Sequence, residues 1–191
     1  DVLKSVESNS KISPSPETLK IIQDKLLQKK FLTDNNIPVP EFIEVNDINE
    51  LKIGLEKFGF PALLKARRDA YDGKGNYKID SKNDIQKAFD YFKGNPLLLE
   101  KFIPFKMEVS VISARNTQGQ IKSYPLVENI HEKNILRQTI APARVSKQII
   151  DEADQIAEKT MSVLKGAGIF GIEMFVTNEE HILINEIAPR V

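Results

Sequence analysis

A carboxylate and an amide stand inside the last apolar run of this chain, a costly arrangement for a buried β-strand. Residues 181–191 read His-Ile-Leu-Ile-Asn-Glu-Ile-Ala-Pro-Arg-Val, with Asn185 and Glu186 at the centre. The preceding run, Ile169 to Val176, is interrupted in the same way by Glu173, and Thr177-Asn178-Glu179-Glu180 between them is a polar turn. The pattern predicts a hairpin that brings the two acids near each other. Two like charges buried without a cation are expensive, or one must protonate. A Mg²⁺ ion, by contrast, takes one or two carboxylates together with substrate phosphates. The pair reads as a metal site. A plainer reading is equally open on the hairpin alone: alternation could set both glutamates on a solvated face, away from Ile172 and Met174.

Composition narrows the chemistry. Lys plus Arg equals Asp plus Glu at 27 each, so no global field draws the chain to nucleic acid or to an anionic membrane. Zero cysteines exclude disulfides and thiolate metal sites, and His131 and His181 alone make a multi-histidine zinc site a poor fit. No apolar run reaches membrane-spanning length and no signal peptide is evident. The expectation is a cytoplasmic protein with oxygen-ligand, magnesium-type chemistry. At 191 residues and 41% hydrophobic content, one domain or two small ones can form. The weakly patterned start and the stop just after an apolar strand lead us to expect a piece of a longer protein.

Ser15-Pro16-Glu17 is a helix start, with Ser15 as N-cap and proline at the first helical position. Asp24 caps a possible second helix, ending before Ile37-Pro38, and sets Lys25 in its first turn. There a lysine opposes the dipole, a slight pointer to an anion. Beyond Pro40, strand 41–45, helix 47–58, strand 60–67, turn 69–76, strand 77–80, helix 82–92 and strand 97–103 are expected to form one α and β lobe. Strand 107–115, strand 121–127, an irregular polar segment to about 145, helix 147–165 and the terminal hairpin are expected to form a second. The division is thus a lead-in helix over 1–22, a first lobe over 23–103 and a second over 104–191.

Tyr71-Asp72-Gly73-Lys74-Gly75-Asn76 has two glycines that permit positive φ and free backbone N–H groups for an anion, though Asp-Gly is also a tight hairpin turn. Lys65 ends the apolar strand leading into it, and a buried lysine needs a counter-anion. We expect that partner to be a ligand phosphate rather than a protein carboxylate. Leu97 to Ile103 is an apolar strand holding Glu100 and Lys101, with Glu108 beyond. It is either a charged edge strand at a crossover or a hinge whose backbone pairs with a nucleobase.

In this order, Gln23-Asp24-Lys25, Lys65, the glycine loop, Glu100-Lys101-Phe102-Ile103, Glu108, Glu173 and Asn185-Glu186 resemble the ATP-grasp superfamily. The resemblance implies an α+β fold in which two lobes clamp ATP. It implies that Lys25 and Lys65 contact the phosphates under the loop of Tyr71, Asp72, Gly73, Lys74 and Gly75. Glu100 and the backbone of Lys101, Phe102 and Ile103 would hold adenine, and Glu108 the ribose. Glu173 and Glu186 would hold two Mg²⁺ ions, with Asn185 as a further ligand.

Tyr124-Pro125-Leu126-Val127-Glu128-Asn129-Ile130-His131, Ile135-Leu136-Arg137 and Ala141-Pro142-Ala143 look like the N5-carboxyaminoimidazole ribonucleotide synthetase family of purine biosynthesis. That resemblance implies carboxylation of 5-aminoimidazole ribonucleotide by ATP and bicarbonate through carboxyphosphate, in a homodimer. It also implies an N-terminal Rossmann-like domain and a C-terminal segment outside this chain. Arg190 would meet bicarbonate, and His131 and Arg137 are substrate-orienting candidates. Formate-dependent glycinamide ribonucleotide transformylase, biotin carboxylase and an ATP-binding module without turnover are the alternatives.

Overall fold

The computed structural model describes residues 12–68, 75–132 and 134–190. The first helix, α1 (Pro16–Ile22), starts where Ser15 Oγ accepts the Thr18 amide and proline occupies the first turn. The second, α2 (Lys25–Asp34), starts at Asp24, whose side chain accepts from the amides of Leu26 and Leu27.

Among the described residues, ten strands form two antiparallel sheets. The smaller runs β1-β4-β2-β3, from β1 (Phe42–Val45), β2 (Ala62–Ala66), β3 (Asn76–Ile79) and β4 (Leu97–Lys101). Helix α3 (Ile48–Phe58) and a helical stretch containing α4 (Ile85–Tyr91) cover it, burying Leu51, Leu55 and Ala88 against Val45, Leu64, Ile79 and Leu99. Gly54 lets α3 lie close to the sheet, since a Cβ there would stand 2.1 Å from Ile43 Cδ1 and 2.8 Å from Leu99 Cδ2.

The larger sheet runs β10-β9-β5-β7-β8, with β6 also paired to β5. Its strands are β5 (Phe105–Arg115), β6 (Ile121–Ser123), β7 (Val127–Glu132), β8 (Ile135–Ile140), β9 (Gly168–Thr177) and β10 (Ile182–Arg190). Helix α5 (Lys147–Val163) buries Ile149, Ala153, Ile156, Ala157, Thr160 and Met161, a helical stripe, on the face carrying Val109, Val111, Phe170, Ile172 and Met174. No helix among the described residues is long and apolar enough to cross a membrane.

Two expectations change. The segment from Glu128 to about 145 is not irregular throughout: β7 and β8 form a hairpin, turning at Asn134 with φ 63°. Residues 135–139 are all exposed, so β8 lacks the alternation that marks a half-buried strand. The second is the lobe boundary. Ile22, Leu32 and Ile37 belong to the core of the larger sheet, so the apolar side of α2 packs on the second lobe, while Asp24 and Lys29 pair with Arg67 and Glu100 of the first. The apolar stripe of α2 is satisfied by whichever core lies nearest, and the edge of β10 is that neighbour.

Candidate active site

Lys25, Gln28 and Lys29 stand at i, i+3 and i+4 on α2 and therefore share one face. That face covers the edge of β10 where its pairing with β9 slips. The register passes from Ile184↔Met174 to Glu186↔Glu173, leaving Asn185 as the extra residue of a bulge. The Gln28 amide behaves like a neighbouring strand there, donating to the Ile187 carbonyl at 2.9 Å and accepting the Ile187 N–H at 2.9 Å. Lys29 Nζ donates to the Ile184 carbonyl at 3.2 Å, and Ile184 N–H donates to the Pro38 carbonyl at 2.9 Å. An edge strand is thus closed by a helix.

The bulge sets Glu186 directly across from Glu173, and the pairing of β9 with β5 sets Glu173 beside Ser110. Glu108 lies two residues before Ser110 on the same face, opposite Asn129 of β7. A polar row therefore crosses four strands on the side opposite the α5 core. Asn129 donates to Ser110 Oγ at 2.7 Å, and His131 Nδ1 lies 3.2 Å from Glu108 Oε2 without hydrogen-bond geometry. Burial first, then repulsion by Glu186, pushes the Glu173 carboxyl above the usual carboxylate range, against the pull of Arg190, His131 and Lys25. Burial likewise raises Glu108, with His131 lowering it and Glu173 adding to the rise. Lys25 Nζ neutralises Glu186 at 2.5 Å, and Arg190 Nη2 approaches Glu173 Oε1 at 3.3 Å.

Facing this row is the smaller sheet. Lys65 pairs in register with Leu98, so Glu100, two residues on, is its diagonal neighbour on one face. Lys65 Nζ donates to Glu100 Oε2 at 2.6 Å and lies 3.4 Å from Asn185 Oδ1 across the gap between sheets. Lys29 Nζ sits 3.4 Å from the other oxygen, Oε1, as a charge pair without hydrogen-bond geometry. Burial pushes the Glu100 carboxyl up, but Lys29 and Lys65 together outweigh it and hold it below the usual range. At the far end, Arg67 grips Asp24 with Nε at 3.0 Å and Nη2 at 2.7 Å, and Lys25 N–H donates to the Arg67 carbonyl at 2.9 Å.

Two sheets facing a gap, with Lys65 on one side and Lys25, Asn185 and the carboxylate row on the other, have a counterpart among known proteins. Residues 30–191 match the ATP-grasp domain family. The chain belongs to the ATP-grasp family. It is similar to phosphoribosylaminoimidazole carboxylase of Candida albicans, 42% identical over 181 residues, which are 94% of this chain and 32% of that protein. Among solved structures it is similar to carboxyaminoimidazole ribonucleotide synthase of Aspergillus clavatus complexed with ATP. The TM-score is 0.95 at 39% identity, over 99% of this chain and 50% of that one. A structure of N5-carboxyaminoimidazole synthase from the same organism, in complex with ADP and 5-aminoimidazole ribonucleotide, matches with TM-score 0.92 and 37% identity, covering 99% of this chain and 50% of that chain. The chain therefore spans about a third of the curated fungal relative and half of each synthase chain.

Within this ATP-grasp fold, most expected site residues converge on the gap. Lys25, Lys65, Asn185, Glu173, Glu186 and Glu108 gather there, with Arg190 beside Glu173. Lys101, Phe102 and Ile103 lead out of β4 into β5 and so cross between the sheets. Tyr71, Asp72, Gly73 and Lys74 lie outside the described residues, while the Gly75 carbonyl accepts the Ala66 amide at 2.9 Å. Arg137, half-exposed on β8, stands 3.9 Å from Glu132 and makes no ion pair with the carboxylate row.

Two contacts bear on the expected roles. Lys65 is paired with a protein carboxylate, Glu100, because strand register makes them diagonal neighbours. Glu100 is 1% exposed and its carboxylate lies between two lysines. Lys29 and Arg67 escaped sequence reasoning. The spacing of Lys29 from Lys25, one helical turn, was the available signal.

Proposed function

We propose that this chain is the nucleotide-binding part of an N5-carboxyaminoimidazole ribonucleotide synthase, a cytoplasmic homodimeric enzyme that carboxylates 5-aminoimidazole ribonucleotide with ATP and bicarbonate. The observation that carries the reading is the meeting at one gap of Lys65, from the smaller sheet, with Lys25, Asn185 and the row Glu186, Glu173 and Glu108 on the side of the larger sheet. The relatives' complexes with ATP, and with ADP and the ribonucleotide, support it.

In this reading the adenine ring lies along the backbone of 101–103, Glu108 accepts from the ribose, and Lys25 and Lys65 turn to the phosphates. The all-oxygen donor set of Glu173, Glu186 and Asn185 fits Mg²⁺, and the raised Glu173 carboxyl marks a place where a cation relieves repulsion. Mg²⁺ held there supplies neutralisation of charge as the γ-phosphoryl group moves. Arg190 holds bicarbonate so that its oxygen attacks the γ-phosphorus as the bond to ADP breaks, giving carboxyphosphate. The exocyclic amine then attacks the carboxyl carbon, the bond to phosphate breaks and the amine proton leaves with the phosphate. His131 and Arg137 orient the acceptor. The protein contributes positioning and electrostatics and no nucleophile of its own.

The test supplies the full-length enzyme to which this nucleotide-binding part would belong with ATP, Mg²⁺, isotopically labelled bicarbonate and 5-aminoimidazole ribonucleotide. Equal release of phosphate and incorporation of label, both dependent on the ribonucleotide, is the expected result. Turnover that depends instead on formate and glycinamide ribonucleotide, or on biotin, overturns the assignment.

A further inference from the structure

Lys29 is among the largest fully buried side chains of the protein, and the reaction described above gives it no task. Its ammonium faces the Ile184 carbonyl at 3.2 Å and Glu100 Oε1 at 3.4 Å. Lys65 holds the second oxygen of the same carboxylate at 2.6 Å. Two buried cations thus share one buried anion, although one lysine would neutralise it. The excess is costly, since a buried charge without a partner is strongly unfavourable.

The two lysines differ in their freedom to leave. Lys29 is tied to β10 at a carbonyl whose residue is itself bonded to Pro38, and Gln28 beside it is bonded twice to Ile187. Lys65 stands at the gap, with its other contact, Asn185 Oδ1, reached at 3.4 Å across it. We infer that Lys29 is a positioning residue for nucleotide capture: it is the permanent counter-ion of Glu100, and its presence frees Lys65 to transfer from that carboxylate to a nucleotide phosphate.

The charges balance on this account. Before transfer the triad carries one excess positive charge. Afterwards the neutral pair of Lys29 and Glu100 stays in the interior, and Lys65 carries its charge to an anionic ligand. Without Lys29, the departure of Lys65 strands a carboxylate that is 1% exposed. Burial, then the nearby Lys65, presses the Lys29 ammonium down to about 8, with Glu100 opposing, which leaves it mostly protonated at neutral pH.

The inference rests on the nucleotide-binding reading, and titration calorimetry with ATP and Mg²⁺ separates the two. The proteins compared are wild type, Lys29→Met, Glu100→Gln and the double variant. Lys29→Met should bind ATP about 100-fold more weakly, because capture must then break the last ion pair of a buried acid. Added to Glu100→Gln, the same change should cost less than about threefold, because no carboxylate remains to hold Lys65. In turnover the Lys29→Met loss should fall on KM for ATP, with kcat at saturation within about threefold of wild type.

Equal losses in both backgrounds show that Lys29 acts without Glu100 and overturn the inference. Should Lys29→Met alone fail to fold, Glu100→Gln against the double variant decides: a loss beyond about tenfold overturns the inference, and retained affinity supports it. A wild-type protein that binds no ATP overturns both this and the functional reading. A wild type that binds while Lys29→Met binds equally well overturns this inference alone.

Discussion

Asp24→Ala should destabilise the fold by about 4 kcal/mol, because one 2%-exposed carboxylate performs two tasks at the junction of the lobes. It caps α2, accepting the Leu26 amide at 3.0 Å and the Leu27 amide at 3.3 Å. Loss of such a cap costs about 1 kcal/mol. It also holds the Arg67 fork at 3.0 and 2.7 Å and Arg68 Nε at 3.1 Å. Removing one partner of a buried pair costs about 3–5 kcal/mol, and the low end applies because Arg67 keeps Glu44 at 2.7 Å.

Asp24→Asn keeps the cap and the shape and should cost about 2 kcal/mol. The pH dependence has a definite sign. Burial raises the Asp24 carboxyl, but Arg67, the Leu27 amide and Arg68 together hold it below its ordinary 3.8. Its contribution is therefore present above that ordinary value and lost as pH falls through the lower folded value. Urea unfolding of wild type and Asp24→Ala at about pH 7 and about pH 3 measures both effects. A loss under about 1.5 kcal/mol at neutral pH, or a gap that widens in acid, refutes the two-task account.

Gly54→Ala should destabilise by about 1–3 kcal/mol despite alanine's better helix propensity, because its Cβ meets Ile43 and Leu99. Chemical denaturation checks this, and Ile43→Ala in the same chain should recover part of the loss. Glu173→Gln should raise the melting temperature at neutral pH, since burial and Glu186 raise the folded-state carboxyl above its ordinary 4.5. A raised acid contributes stability below its ordinary value and loses it as pH rises through the folded value, so the gain should shrink towards about pH 4 in thermal scans. Under the proposed function the same variant should lower kcat by at least about 100-fold in the phosphate-release assay. Lys65→Met should weaken ATP binding in calorimetry far more than it lowers the urea midpoint, because Lys29 still neutralises Glu100.

How much was legible depended on the distance over which each signal acts. The Ser15 and Asp24 caps work within one helical turn, and both helices begin as their side chains indicate. The proximity of Glu173 and Glu186 was readable because a four-residue polar turn confines the register of its two strands. The hairpin of β7 and β8 was not, because its outer strand is exposed along most of its length and so writes no burial pattern into the chain. The glycine pattern of 71–76 carried a functional suggestion, but four of those six residues lie outside the described structure.

Local chemistry in the chain determined where helices start, which strands carry acids in apolar runs, and that those acids need compensating charge. Tertiary structure alone decided which cation meets which carboxylate. Glu100 reads as a charge in an apolar strand, yet its partners come from 35 residues away on β2 and from α2 on the other side of the junction. The bulge at Asn185 is formed with β9 and closed by Gln28, 159 residues from Ile187, and no pattern within the final strand announces it. Periodicity reports whether a position is buried. Identity of a partner is set by register and helix docking, and these follow from packing the whole core.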